Sequence, residues 1–212
     1  MVRSLLTLLI LLITPHIVSC NLLTPIVFVS GHTKTVTPEF DKLPGTSVAV
    51  LVWTDPSTLF DYPHARIELA TFVADKLSAE MNRRKLKTHV ISPRDVEDFI
   101  QKNVRAQVDP RAVGRAVGAD YVIFLEVIRF GMRDPDHPQF LRGRIDATVV
   151  VHDIRAEPDE LRSYPLTPVT CLYPDGGPVA LTAVNSPLIR EGAYLRFAEI
   201  VARKFYEHTI KL

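Results

Sequence analysis

Two apolar, β-branched runs constrain this chain more than any other feature. Ser47 to Trp53 reads SVAVLVW, and Tyr121 to Phe130 reads YVIFLEVIRF. Neither alternates between apolar and polar, so each is expected as a strand buried on both faces. The second is the longer and is placed at the centre of the sheet.

The stretches between these strands carry helix signals. Asp55 to Pro63 is expected as a loop, with Asp61 capping a helix opened by Pro63. Arg66 to Arg84 then places Leu69, Phe72, Val73, Leu77 and Met81 at helical spacing. Thr88 to Ile91 is a short strand. Ser92-Pro93 with Asp95 marks the start of a helix whose buried face holds Val96, Phe99 and Ile100. Asp109-Pro110 repeats that start signal, and Gly118 can take the left-handed conformation that stops a helix. The cluster Arg83-Arg84-Lys85-Lys87 reads as a solvated helix end complementing the dipole.

After the second long strand the pattern changes. From Arg142 to Ile154, Ile145, Ala147, Val149 and Val151 face one way, while Arg144, Asp146, Thr148 and His152 face the other. That alternation belongs to an antiparallel strand with one face free of helices. Pro168 to Tyr173 is a further strand, ended by Pro174-Asp175-Gly176-Gly177. Ser186-Pro187 opens a last helix running to about His208, with Tyr194, Phe197, Val201 and Phe205 on its buried stripe. The expected fold is α/β with α+β character. It has a single mixed sheet of about five strands with helices packed on it, parallel in the first half and an antiparallel meander in the second.

The amino terminus is of another kind. Arg3 precedes an apolar core from Leu5 to Ile13, of signal-peptide length and too short to span a bilayer comfortably. The run Ile17-Val18-Ser19-Cys20 follows, and it resembles the lipobox of bacterial lipoproteins. The resemblance implies cleavage before Cys20 and lipid attachment to its thiol, so residues 1–19 form the signal peptide. Several acyl chains on one residue hold a domain on a membrane almost permanently. Asn21 after the cysteine favours the outer membrane, facing the periplasm, over the inner membrane. Residues 20–45 are rich in Pro, Thr, Gly and Val without helical period and read as an extended tether. Pro44-Gly45 is a turn, and residues 46–212 form one mixed α/β domain.

Composition narrows the partners. The net charge is +1 and no basic run stands out, which argues against a nucleic-acid partner. Apart from Cys20 the chain has one cysteine, Cys171, so lipidation of Cys20 leaves no intramolecular disulfide.

The lipobox, the strand SVAVLVW, the segment HVISPRDVEDFI and the segment AVGRAVGADYVIFLEV together resemble a loose group of envelope proteins. The group includes the curli-secretion lipoprotein CsgG, the penicillin-binding-protein activator LpoB and the amino-terminal domain of TolB. Gly118-Ala119-Asp120-Tyr121-Val122 is the closest local match. The resemblance implies binding and assembly roles and supplies no catalytic residues.

Motifs for chemistry are sparse. The sequence has no His-Glu-x-x-His, no phosphate-binding glycine loop, no Gly-x-Ser-x-Gly elbow and no paired-cysteine metal site. One weak ligand loop remains: Trp53, Asp55, Asp61 and His64, with Tyr62 beside them, at the end of a strand where ligands of α/β sheets tend to sit. Asp134, Asp136 and His137 are better read as an exposed connection than as metal ligands. Cys171, in an apolar strand, is better read as a small buried hydrophobe than as a nucleophile. The sequence implies no cofactor and no metal. The expected function is that of a lipid-anchored envelope protein that binds another envelope protein without catalysis. One alternative is a hydrolase or other enzyme using Asp55, Asp61 and His64. Another is a subunit of an export or assembly complex.

Overall fold

The computed structural model describes residues 33–103, 109–156, 162–182 and 184–211. The signal peptide, Cys20 and the first part of the tether lie outside the described residues. The chain separates into two units, one running from Met1 to Val36 with His208 to Leu212, the other from Thr37 to Glu207. In the first unit, β1 (Thr33–Val36) and β8 (His208–Lys211) pair antiparallel, Thr33 opposite Lys211.

The second unit holds the expected mixed sheet. Strand β2 (Ser47–Thr54) has parallel neighbours on both sides: the two-residue β3 (His89–Val90) and β4 (Tyr121–Arg133). From β4 the sheet continues antiparallel through β5 (Phe140–Asp153) to β6 (Ser163–Tyr173). The short β7 (Val179–Ala180) pairs with the start of β5. The order β3-β2-β4-β5-β6 makes the first half parallel and the second a meander.

Helices cover the two faces unequally. On one face, α2 (Ala65–Arg83) and α5 (Asn185–Ala202) bury Leu69, Val73, Leu77, Tyr194, Phe197 and Val201 against Val50, Ile123, Ile145 and Val149. On the other face, the short α3 (Pro93–Lys102) and α4 (Pro110–Val117) pack Val96, Ile100 and Val113 against Ala49, Leu51 and Val122. Both short helices start as the sequence predicts. Ser92 Oγ accepts from the Arg94 N–H, and Asp109 Oδ1 accepts from the Arg111 N–H, each cap followed by proline at the first helical position. Gly118 stops α4 at φ 71°, in the left-handed region.

Strand β5 shows the predicted alternation. Ile145, Ala147, Val149 and Val151 are at most 1% exposed, whereas Arg144, Asp146, Thr148 and His152 are half-buried on the opposite face. Two glycines set how closely α5 lies on this strand and its neighbour. A Cβ on Gly143 would stand 2.5 Å from that of Ala193, and one on Gly192 would run into the Tyr173 ring.

Strand β6 begins at Ser163, five residues before the expected Pro168, so it carries Pro165 and Pro168. An outer strand tolerates both, because a missing N–H need not break the ladder. The register to β5 shifts there: Ala147 faces Val169, but Val149 faces Leu166. The extra residues form a bulge. The Thr167 N–H within it donates to Glu39 Oε2 at 2.8 Å.

Other parts depart from expectation. Residues 55–63 are not a plain loop: Pro56–Asp61 form a helix, α1. Asp61 does not cap α2, whose N-cap position is His64, with no side-chain hydrogen bond. Asp61 is itself the last residue of α1, a helix that Asp55 caps and Pro56 opens, so it does not stand at the start of α2. The last helix ends at Ala202, continues as one 3-10 turn (Arg203–Phe205) and gives way to an extended Tyr206. The segment 37–45, read as tether, contributes Phe40 (4% exposed) and Leu43 (fully buried) to the core. Arg84 is not simply solvated: it lies 4.0 Å from the Tyr206 ring centre and donates to the Glu207 carbonyl at 3.0 Å.

Candidate functional site

The four residues of the predicted ligand loop do different jobs. Asp55 is the cap of α1. Its Oδ1 accepts from the N–H groups of Ser57 (2.9 Å) and Thr58 (3.1 Å) and from the Ser57 hydroxyl, and its Oδ2 accepts from Thr58 Oγ1 at 2.7 Å. These hydroxyls and N–H groups hold its carboxyl far below the usual carboxylate range. Trp53 is half-buried at the end of β2, opposite Glu126 of β4. Asp61 and His64 are exposed. A general base and acid need to meet at a shared point within hydrogen-bond reach, and no bond among the described residues joins these acids to His64.

The Asp134 segment is a turn. Its Oδ1 accepts from the N–H groups of Asp136 (3.1 Å) and His137 (2.9 Å), with His137 Nδ1 3.3 Å away. Burial pushes the Asp134 carboxyl up, but these hydrogen bonds outweigh it and hold it below its ordinary value. No group of three or more acidic, histidine or cysteine side chains suited to a metal occurs among the described residues. Cys171 is fully buried, with Sγ 3.6 Å from the Ala193 carbonyl, and burial pushes its thiol up to about 12. Lipidation at Cys20 lies outside the described residues.

Sequence order did not suggest the pairing at the far end of the sheet. Ser163 Oγ lies 3.0 Å from His152 Nδ1, and Arg111 also donates to that hydroxyl at 3.3 Å. Burial and the Arg111 charge hold the imidazole below its ordinary value. A hydroxyl beside a neutral imidazole is the start of a nucleophile–base pair, but the third member is engaged elsewhere. Asp109 caps α4, and Arg111 also donates to the carbonyls of Arg162 and Asp153. The group clips α4 to the β5–β6 hairpin.

A cavity of about 290 Å³ opens beside the predicted loop, but through a different residue of it. Tyr62 lines the cavity, together with Met132 and Arg133 at the end of β4, Leu141 at the start of β5, Leu181, and Ser186, Pro187 and Arg190 in the first turns of α5. Local chemistry fixes each wall. The Tyr62 ring packs edge-on against Phe130 at 4.9 Å, and Phe130 lies 6.0 Å from Tyr194. The Asp134 turn shapes the β4–β5 hairpin that presents Arg133, whose Nη1 donates to the Pro138 carbonyl at 3.0 Å. Thr182 organises the start of α5: its Oγ1 accepts from the Asn185 N–H, and its carbonyl accepts from the Ser186 N–H and hydroxyl. Exposed apolar side chains gather in sequence near the start of α5. Leu181 is 44% exposed, Val184 69% and Leu188 57%.

No family model matches the sequence, and no curated protein matches it. Solved structures align with it at low identity. A PelC dodecamer from Paraburkholderia phytofirmans aligns with a TM-score of 0.43 at 12% identity, covering 83% of this chain and 99% of that one. The lipoprotein GNA1162 from Neisseria meningitidis aligns with a TM-score of 0.37 at 14% identity, over 69% of this chain and 93% of that one. The hypothetical protein CT253 from Chlamydia trachomatis gives 0.39 at 13% identity, over 75% and 96%. At these scores the likeness carries no argument about function or about the CsgG, LpoB and TolB group. Among the described residues no helix is long and apolar enough to cross a membrane.

Proposed function

We propose that this chain is a lipid-anchored envelope protein that binds another envelope protein and catalyses no reaction. One observation carries the reading. Large apolar side chains stand in solvent at and just before the start of α5, whose first turns also line the cavity, while Asp55, Asp134 and Cys171 are committed to a cap, a turn and the core. Leu181, Val184 and Leu188 fall within eight residues of one another, and exposed apolar side chains grouped on a surface mark interaction sites. The anchor rests on Ile17 to Cys20, and Asn21 supports the outer membrane, facing the periplasm. The outer edge of β6 adds little to the reading, because Pro165 and Pro168 interrupt the row of donors that an added strand needs.

Two measurements test this. A photocrosslinking residue at Leu188, introduced in cells, should yield a discrete adduct with an envelope protein. One at exposed Asp75, on α2, should not match its yield. Equal, diffuse adducts at both positions would overturn the binding surface. Cys20→Ala should abolish labelling by an acyl analogue. Equal labelling of the parent and the variant would remove the anchor.

A further inference from the structure

The charges lining the cavity are all of one sign. Among the described residues of the lining, Arg133 and Arg190 supply two guanidiniums and there is no carboxylate. Among the described residues neither arginine lies in a salt bridge. The Arg133 side chain donates to the Pro138 carbonyl. The neighbouring acid, Asp134, is 4% exposed and turned inward to the Asp136 and His137 N–H groups. Asp175, farther along, pairs with Arg196 at 3.7 Å. The rest of the lining is mainly apolar: Tyr62, Met132, Leu141, Leu181 and Pro187.

Size narrows the occupant. Sites for drug-sized molecules run from about 300 to 1,000 Å³, and this cavity, at about 290 Å³, falls just short of that range. It suits a single anchoring side chain, the form in which protein interfaces concentrate their binding energy. Leu181, itself part of the lining, is 44% exposed and carries apolar surface out to the rim. Guanidiniums bind carboxylates through paired, charge-assisted hydrogen bonds that give geometric selectivity.

We infer that the cavity receives a segment of a partner protein in which one apolar side chain is flanked by a carboxylate. The apolar side chain fills the pocket against Tyr62, Met132 and Leu141. The carboxylate, from an aspartate, a glutamate or a chain's C-terminus, bridges Arg133 and Arg190. This rests on the protein-binding reading above and gives it a chemical class.

The test uses the full lipidated chain in detergent micelles and a random twelve-residue peptide display library. Enriched peptides should place an acidic residue or the free C-terminus within two positions of Leu, Met or an aromatic residue. A fluorescein-labelled copy of the most enriched peptide should bind at least ten-fold more weakly to the Arg133→Gln/Arg190→Gln variant. Its Glu→Gln or amidated versions should lose as much, and which one does so identifies the source of the carboxylate. Both arginines are exposed, so an unchanged melting curve is expected, and Arg190→Gln alone gives a milder second variant. Enriched peptides without acids, no enrichment, or equal binding by the variants would overturn the proposal. So would a variant that loses binding to phosphatidylglycerol vesicles but not to peptides, which would make the occupant a lipid headgroup. A Leu188 crosslink that persists in the double variant, with peptide binding unaffected, would remove this proposal and leave the binding reading standing.

Discussion

Lys204 Nζ lies 2.8 Å from Glu39 Oε1, across 165 residues of sequence. The lysine side chain is 7% exposed and the glutamate 37%. Glu39 also accepts the Thr167 N–H through its second oxygen, and the Lys204 carbonyl accepts the N–H groups of Glu39 and Phe40. Three distant parts of the chain therefore meet at one carboxylate. Burial pushes the Glu39 carboxyl up, but the lysine and the Thr167 N–H outweigh it and hold it below its usual value.

The pair is asymmetric, and its two halves should respond differently to removal. Glu39→Ala leaves a buried ammonium and the Thr167 N–H without a partner, a loss of about 2 kcal/mol. Lys204→Met leaves a carboxylate that water can reach and should cost less. Paired chemical unfolding curves check this, and a larger loss for Lys204→Met would contradict it. Because the carboxyl is depressed, its contribution is fully present above the ordinary value of 4.5 and fades as the pH falls below it.

Where the folded unit begins can be tested by truncation. A chain starting at Thr37 keeps Phe40, Leu43 and Glu39; one starting at Thr46 loses all three. Burial of two such apolar side chains is worth about 5 kcal/mol, at the lower limit of typical domain stability. The shorter chain should unfold at much lower denaturant or fail to fold. Equal midpoints would show that 37–45 is dispensable.

Phe197 is fully buried where α5 meets the sheet. Phe197→Ala should cost about 3–5 kcal/mol. A loss under about 1 kcal/mol, typical of surface positions, would place α5 outside the core.

Asp55 and Asp61 offer a contrast within one loop. Asp55→Ala removes four accepted hydrogen bonds and should lower the melting temperature at neutral pH, whereas Asp61→Ala and His64→Ala should leave it nearly unchanged. The Asp55 carboxyl is depressed in the folded chain, so its effect holds above the ordinary value of 3.8 and shrinks as the pH falls below that. Melting curves at neutral and acidic pH decide the matter. A loss of in-cell function in His64→Ala with normal melting would return the loop to the list of working sites.

Cys171 gives a solution readout of core integrity. With its thiol pushed up to about 12 and fully buried, it should resist maleimide at pH 8 in a chain beginning at Thr37 and react at once in denaturant. Rapid labelling under native conditions would mean that α5 lifts from the sheet.

Periodicity explains which parts the sequence revealed. The buried β2, the alternation along β5, and the caps Ser92 and Asp109 are local signals, each contained within a few residues, whereas β4 is buried on both faces only at its start and leaves Ile128 65% exposed. Gly118 is another, since its conformation follows from its own missing side chain. Phe40 and Leu43 give no such signal, standing singly in a Pro- and Thr-rich stretch. Their burial depends on Lys204 and Thr88, the latter bonding the Leu43 carbonyl at 2.9 Å. The cavity was equally hidden. Tyr62, Arg133 and Arg190 come from three separate segments, and only the packing of α5 beside the β4–β5 hairpin unites them. In the predicted loop the acids drew attention, but the chemically quieter Tyr62 reached the cavity.

The prolines of β6 have a consequence at the scale of many molecules. Proteins held on a surface meet one another far more often than in free solution, and always in similar orientations. A long outer strand with a complete row of donors would then invite stacking, copy upon copy, into sheets or fibres. Pro165, Pro168 and the intervening bulge leave that row broken, and Glu39 already occupies the Thr167 donor. On the proposed anchor, crowding would raise the local density of this protein without turning the β6 edge into a seed for polymerisation.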